Sequence, residues 1–581
     1  MLDFDETEYE LVEKILLGEG KFNTLQREFI ELFESKLIIA GPGTGKTTSL
    51  SAKITLLIRY LNKIGSKEGI CIITHTNVAV NEINTTLQRS GISNITHPHF
   101  IGTIHEFFNM YCVRPYFKKK AKHNSFLFNG KPSEDMEYYW NFLNRKYSYM
   151  EDGAKRYIAG KIHASSLVFD ESSSSIEIEN SSNWPKFEKY KDDARRAKLS
   201  RKSKGFLQHD DTFLFAEIFL SNPKYIKMLR DRFKYIFIDE FQDTTPKGLE
   251  LLKIIFMSDE NVLQMIGDPY QTISYGQPMP EIDENEVFRL NITNRFGEEI
   301  AKPLNILMPE ASIQTTKSKR SFPPILLVYQ DEKEIYAGYK KIIGEYEKED
   351  IEFRNCKMGD KVLVRNRNWA PRVIEGERYN NDKPNKLESQ NVQLKNKVME
   401  FIYKKIKNNK IDSIELRKWI KDHPSIPMLH SILLDILKHD LDIVRKQALK
   451  DFINNLLKEK QTESIDLRAS LFQEIENIIG SVVDLEKKSC GSSNEIFTIH
   501  SVKGESLRSA LVVNYDDAPL TNILFHRYNI LDYANYNHND HNLLYVAMSR
   551  VVYLFVFAIH QDEVNEEIIE SFKGQWIIRK A

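Results

Sequence analysis

Ala40-Gly41-Pro42-Gly43-Thr44-Gly45-Lys46-Thr47-Thr48 is the stretch whose reading decides the fold. A short apolar run, Leu37-Ile38-Ile39, leads into it, and a helical pattern from Leu50 to Leu61 leads out. Strand, glycine-rich turn and helix start form the context of a phosphate-binding loop. Glycines let successive backbone N–H groups, here around Gly41, Gly43, Thr44 and Gly45, curl round an anion, and the helix N-terminus adds its positive dipole end. Lys46 is then placed to reach the β- and γ-phosphates, and the Thr47 hydroxyl to take a place on Mg²⁺, with Thr48 beside it. Ala40 stands where the usual G-x-x-x-x-G-K-[ST] pattern has its first glycine; the cradle is built mainly by the residues after it.

The chain has 581 residues, enough for several domains with cores of their own. It is 41% hydrophobic and 28% charged with a formal net charge of −1, which argues against a wholly basic nucleic-acid binder but leaves room for a local basic channel. Cys71, Cys112, Cys356 and Cys490 show no C-x-x-C spacing, so neither a disulfide framework nor a zinc site is expected, and a reducing, cytoplasmic setting is. The acidic start, Met1-Leu2-Asp3-Phe4-Asp5-Glu6, does not read as a signal peptide. The longest apolar run, Val551 to Ile559, is too short to span a bilayer, and no membrane partner is expected.

Upstream of the loop, Thr24-Leu25-Gln26-Arg27 sits in a helical pattern, and the Gln26 amide offers the donor and acceptor that an adenine edge needs. A solvent-facing helix glutamine is the plainer reading. Downstream, Gly69 to Asn77 and Ile101 to Phe108 are strand-to-loop junctions whose hydroxylated and aromatic residues suit a phosphodiester or a stacked base, although capped core strands would look alike. From about 110 to 205 the rhythm breaks up, with a basic run Lys118 to His123 and a serine-rich acidic stretch, Asp170 to Ser182, expected to be a mobile loop.

The core resumes at Tyr235-Ile236-Phe237-Ile238-Asp239-Glu240-Phe241-Gln242-Asp243-Thr244, an apolar strand delivering adjacent carboxylates. Asp239 is expected to hold the Mg²⁺ shell, and Glu240 to orient or deprotonate the attacking water. Val262 to Ile266 ends in Gly267-Asp268-Pro269-Tyr270-Gln271-Thr272, where Gln271 is placed to sense the γ-phosphate. Residues 375 to 490 are helical and rich in Lys, Asn, Leu and Ile, with no catalytic pattern.

Taken in order, AGPGTGKTT, ITHTNVAVNEI, IDEFQDT, GDPYQTI, LNITNRF, TIHSVKGE and LLYVAMSR resemble the successive motifs of the UvrD/Rep-like helicases of superfamily 1. The resemblance implies an α/β fold of two RecA-like P-loop NTPase domains with parallel sheets, each interrupted by a mainly helical insertion. ATP would lie in the cleft between them and single-stranded DNA across their tops. The implied limits are 1–109 and 206–300 for the first RecA-like domain around an insertion at 110–205, and 301–374 and 491–581 for the second around a reduced insertion at 375–490.

Carried over by position, Gln26 is the adenine reader, Lys46 and Thr47 bind phosphate and Mg²⁺, and Asp239 and Glu240 are the metal-holding and catalytic carboxylates. Arg295 and Arg550 look like the two arginines that reach in from the second half, where a fixed charged fork stabilises the γ-phosphoryl oxygens. Glu505 stands one place from the glutamate thought to meet the ribose. Thr76, Asn77, Thr103, His105 and His500 would line the DNA track. Motif III departs from the family at Ser274-Tyr275-Gly276-Gln277, where a base-stacking aromatic and an arginine usually stand. With its reduced insertion the chain more narrowly resembles the helicase-like B subunit of the Gabija anti-phage system, which implies a nuclease partner. The implied activity is a DNA-dependent ATPase moving 3′ to 5′. A nucleotide-gated regulatory subunit and a DNA repair helicase are the alternatives. The chain itself is expected not to cut DNA.

Overall fold

The computed structural model describes residues 4–581 apart from 76, 93–96, 121–125, 129–131, 182, 274–282, 317, 375–389, 408–412, 422, 440, 469, 479–495 and 516–518. The chain divides into two compact units, one of Met1–Phe107, Asn222–Tyr379 and Asn494–Ala581, the other of Phe108–Ser221 and Asn380–Ser493.

The first unit holds two six-stranded sheets. Across the first, the strands run Val287–Leu290, Lys36–Ala40, Val262–Gly267, Phe233–Asp239, Gly69–Thr74 and Phe100–Thr103, every neighbouring pair parallel. Across the second they run Ile496–Thr498, Asp360–Val364, Leu507–Val513, Val551–His560, Ile325–Tyr329 and Ile577–Lys580, again all parallel. Parallel strands need crossovers and are covered on both faces, so their sequences are continuous apolar runs. Gly69–Thr74 and Leu507–Val513 accordingly bury every residue. Each sheet has its own core, one around Ile38, Leu50, Ile72 and Phe237, the other around Leu327, Tyr339, Val364 and Val556. These are the two parallel-sheet cores, flanked by helices, of a tandem RecA-like P-loop architecture.

The second unit is mainly helical. Helices Pro132–Lys146, Asp152–Ala164 and Phe187–Ser203 contribute to a core around Tyr139, Ile162, Trp184 and Ala197. Helices Gln390–Ile406, Ser413–Lys421, Ile426–His439 and Ile443–Glu459 contribute to a second, leucine- and isoleucine-rich one. The serine-rich stretch is not a mobile loop but a β-hairpin, Ser166–Asp170 antiparallel to Ser175–Glu179. Ile176 and Ile178 alternate with Ser175, Glu177 and Glu179 along its second strand, and Asp170 pins the turn by accepting from Ser172 N at 3.0 Å and Ser173 Oγ at 2.7 Å. Serine content hid a period-two pattern.

Lys53 is the unexpected residue of the first core. It lies on the phosphate-loop helix Lys46–Lys63 and is fully buried. Its Nζ donates to Phe29 O at 2.7 Å and to Leu32 O, and lies 4.5 to 5.6 Å from the ring centroids of Phe29, Phe33 and Phe237. Burial pushes its pKa well below the ordinary lysine value. Between that lowered value and the ordinary lysine pKa of about 10.4, the unfolded chain holds a proton that the folded chain does not, so stability rises with pH through this window. The thermal midpoint of the wild-type chain should therefore rise more, or fall less, between pH 8 and 10 than that of Lys53→Met. Parallel pH profiles for the two proteins would contradict the assignment of a suppressed charge.

Candidate nucleotide site between two parallel sheets

The strand order of the first sheet delivers the site. Lys36–Ala40 pairs with Val262–Gly267, which pairs with Phe233–Asp239, and the registers Ile39↔Gly267 and Asp239↔Ile266 bring all three C-terminal ends to one edge. Ala40, Asp268 and Glu240 therefore open into the same place, the crevice at the carboxyl ends where parallel α/β sheets bind ligands.

The loop Gly41–Gly45 folds as its sequence demands. Gly43 and Gly45 have φ of 75° and 78°, and Gly45 caps the helix Lys46–Lys63. A Cβ on Gly43 would fall 2.4 Å from Arg295 Cβ and 2.6 Å from Thr293 Oγ1, and one on Gly45 would fall 2.6 Å from Gln26 Nε2. Backbone conformation and close packing thus both require glycine. Gly41 N donates to Leu290 O at 2.9 Å, Asn294 N to Gly43 O at 2.8 Å, and Thr293 Oγ1 to Pro42 O at 2.8 Å. Thr47 and Thr48 follow Lys46 in the first helical turn, both half-buried.

Lys46 Nζ lies 3.0 Å from Asp239 Oδ1 and also contacts Glu240 Oε1. Adjacent side chains on an extended strand point to opposite faces. Glu240 escapes that rule because its backbone turns to the left-handed region, φ 53° and ψ 46°, directly after the strand, and both carboxylates then reach one ammonium. Burial works against charge on all three groups. For Lys46 the two carboxylates outweigh it and raise the ammonium above its usual pKa. For Glu240, Lys46 and a 2.6 Å hydrogen bond from Gln242 Nε2 outweigh burial and bring it down to about 2. Burial prevails at Asp239, whose pKa is raised.

The second sheet supplies the other wall. Gln271 Nε2 donates to Asp268 Oδ2 at 2.8 Å, and Gln271 Oε1 accepts from Arg550 Nη2 at 3.0 Å. Lys503 Nζ reaches Asp243 Oδ1 at 2.7 Å and Gln271 O at 2.8 Å. Arg550 is buried where helix His538–Ser549 passes into strand Val551–His560. Arg295 belongs to both walls: its backbone packs on Gly43, and its Nη1 donates to Ser549 O at 2.8 Å. Burial and the nearby Arg550 lower its pKa to about 9, still cationic at neutral pH. Burial pushes the Asp268 carboxyl up to about 6.

The structure thus brings Lys46, Asp239, Glu240, Gln271, Arg295 and Arg550 into one linked set. Other candidates are occupied locally. Gln26 Oε1 accepts from Asn23 N and its Nε2 donates to Thr44 O, both at 2.9 Å, so its amide braces the loop. Glu505 is paired with Lys361. Thr103 caps the short helix Ile104–Phe108, its Oγ1 accepting from Glu106 N at 3.3 Å, and His105 is half-buried on that helix. His500 Nε2 donates to Ile273 O at 3.1 Å. Thr76, the side chain of Asn77 and Tyr275 lie outside the described residues. Lys503 is the functional candidate that residue-level reading passed over; its signal was the Ser501-Val502-Lys503-Gly504 turn, quoted only as a motif.

A glycine cradle that a Cβ would fill, a buried ammonium, a carboxylate pair and the Thr47 hydroxyl are the donor set that a nucleoside triphosphate and Mg²⁺ require. Residues 22–276 match the model of the UvrD/REP helicase N-terminal domain. The chain is similar to UvrD/Rep-like superfamily 1 helicases. It is 22% identical over 379 residues to the ATP-dependent DNA helicase Rep of Buchnera aphidicola subsp. Acyrthosiphon pisum, covering 61% of this chain and 55% of that protein. It is 26% identical over 317 residues to DNA helicase II of Haemophilus influenzae, covering 51% and 41%. To the putative ATP-dependent DNA helicase YjcD of Bacillus subtilis it is 24% identical over 241 residues, covering 41% and 30%. The matches thus span from under a third to about half the length of these UvrD/Rep-like relatives.

The loop geometry predicts an asymmetry between two glycines. Gly18 also has positive φ, 67°, but nothing lies within 4 Å of its Cβ position. Gly43→Ala should lower the thermal midpoint more than Gly18→Ala and weaken binding of a fluorescent ATP analogue, which Gly18→Ala should leave alone. Equal effects of the two substitutions on both readouts would refute the packing argument.

Proposed function

We propose that the chain is an ATP-dependent translocase on single-stranded DNA, moving 3′ to 5′ and able to separate duplex. The observation that carries this reading is the Gln271–Arg550 contact beside the Lys46–Asp239–Glu240 cluster, which ties the phosphate loop of one sheet to the second sheet. A site assembled from two halves makes hydrolysis depend on their relative position, as a motor requires.

Lys46 binds the terminal phosphates and supplies positive charge where negative charge builds. Mg²⁺, held by Thr47 and Asp239, would neutralise the phosphate oxygens. Glu240 at a pKa of about 2 is a weak base while it is paired with Lys46. As Lys46 turns to phosphate oxygens, Glu240 loses its strongest stabilising partner. Its basicity rises, and it can orient and deprotonate the attacking water. Arg295 and Arg550 stabilise the transferring group, and Gln271 reports its presence through Arg550. The strand ends carrying Thr76, Asn77, Thr103, His105 and His500 form the proposed DNA track. Release of the internal hydrogen bonds of Thr103 and His500 would accompany binding. The narrower likeness to the Gabija B subunit, a cytoplasmic anti-phage role and a nuclease partner belong to this proposal as well. Co-purification of a nuclease from the native host would support that part, and a chain that always elutes alone would count against it.

Lys46→Ala should abolish DNA-stimulated ATP hydrolysis while leaving the circular dichroism spectrum unchanged; near wild-type turnover would overturn the site assignment. Arg550→Ala should lower kcat by roughly 10³-fold with a much smaller change in nucleotide affinity, since it meets the transition state more than the ground state. Hydrolysis per DNA molecule should grow with strand length if the chain translocates. A rate independent of length would favour a nucleotide-gated regulator. Binding of oligonucleotide should weaken by about tenfold or more from low to physiological salt, as several phosphate contacts require. A flat salt profile would argue against the track.

A further inference from the structure

Helix His538–Ser549 meets the loop after strand Val262–Gly267 at three levels. Near its start, Asn542 Nδ2 donates to Thr272 O at 2.9 Å, with Asn539 Nδ2 3.3 Å from the same carbonyl. In its middle, Tyr545 OH reaches Asp268 Oδ2 at 3.4 Å. At its end, Arg550 Nη2 holds Gln271 Oε1 at 3.0 Å. Residues 539, 542 and 545 recur at the three-residue spacing of one helix face, and Arg550 caps the helix end. Thr272, Asn539 and Asn542 are all buried. Asp540 and His541, also near the helix start, anchor it elsewhere. Asp540 Oδ1 accepts from Arg365 Nε at 2.9 Å, at the end of strand Asp360–Val364, and His541 Nε2 donates to Leu307 O at 2.6 Å.

We infer that Asn542, seconded by Asn539, is a positioning residue for hydrolysis: it fixes the loop backbone at Thr272 so that the neighbouring Gln271 amide meets Arg550. The helix is a rigid rod, about 18 Å long for its length. With Arg365 fastening its first turn to the second sheet, a displacement of that sheet carries Asn542 and Arg550 together. Gln271 is one residue from the captured carbonyl, so a slack backbone there misplaces the amide directly. A hydrogen bond from the buried Asn542 carboxamide, with Asn539 beside it, thereby sets the geometry of a charged contact that neither residue itself makes.

The inference rests on the ATPase reading above, and the experiment separates the two. The full chain is assayed for steady-state ATP hydrolysis at saturating single-stranded DNA. Wild-type turnover and its loss in Lys46→Ala are established first; their absence overturns the functional reading and this inference with it. Asn542→Leu, which keeps the volume and loses the donor, should then lower kcat about tenfold and change KM for ATP by less than about twofold. Asn542→Asp, the closest isostere without a donor, should behave alike, and Asn539→Ala more mildly. In an Arg550→Ala background, Asn542→Leu should have little further effect, below about twofold, because both act through Gln271. Equal fold losses in the two backgrounds, or a rise in KM that accounts for the loss, would overturn the inference in favour of a merely structural hydrogen bond. If Asn542→Leu does not fold by circular dichroism, Asn542→Asp and Asn539→Ala carry the same double-mutant comparison.

Discussion

One ammonium held between a buried carboxylate and a half-buried one is the constraint on which the rest of the first unit depends. Asp239 and Glu240 hold the Lys46 ammonium charged against burial, and Lys46 in turn holds Glu240 ionised. Removing any one partner leaves charge uncompensated in a low-dielectric place, which is costly. The strand order satisfies this demand before any chemistry is considered, since it sets the strand of the loop and the strand of the carboxylates on either side of Val262–Gly267, with their C-terminal ends at a common edge. The left-handed turn at Glu240 completes it. A non-glycine residue in that region costs on the order of 1 kcal/mol or more, and the ion pair with Lys46 offsets that cost.

A second constraint follows from the first. A loop that ends beside buried charges must satisfy its own polar backbone, and the Asp268–Ile273 segment does so with donors from the other sheet. Lys503 takes Gln271 O, Asn542 takes Thr272 O, and His500 takes Ile273 O, three consecutive carbonyls held from across the site. Buried carbonyls without partners are rare, so these side chains link the halves for reasons of solvation as much as of catalysis. The consequence is mechanical. Any movement between the sheets must break or carry these bonds, and Gln271 carries the first of them.

Much of this was legible in the sequence. The phosphate loop, the Ile236-Phe237-Ile238-Asp239-Glu240 strand and the Gly267 to Thr272 turn were read in place, because fully buried parallel strands leave apolar runs that end in glycine and acid. Strand order was not, since six parallel strands with crossovers can be permuted without altering any local pattern. The hairpin at Ser166–Glu179 was missed because composition masked alternation. Gln26 was read by its hydrogen-bonding capacity, but capacity does not say where the amide goes; Asn23 and Thr44 claim it here. Arg295 was expected wholly on the far wall, whereas its backbone lies against Gly43 and only its guanidinium crosses. Asn539 and Asn542 carry no motif signal, because a carboxamide donating to a backbone carbonyl requires nothing of the sequence at the accepting residue.

The departures from local rules share an address. Two glycines at positive φ, a glutamate in the left-handed region, an arginine with its pKa lowered to about 9 and an aspartate raised to about 6 all surround one crevice. Lys53, the buried amine about two turns further along the same helix, is a different case. Its carbonyl and ring partners belong to the core beneath the loop, and it touches none of the charged set. A strained or desolvated group that contributes nothing but cost is removed by ordinary substitution, whereas several coupled to one another cannot be removed singly. The coupling among Lys46, Asp239, Glu240, Asp268, Gln271, Arg295 and Arg550 is therefore the better guide to the site than the perturbation of any one of them. It is also why a lysine as deeply buried as Lys53 is read as packing and Lys46 as chemistry.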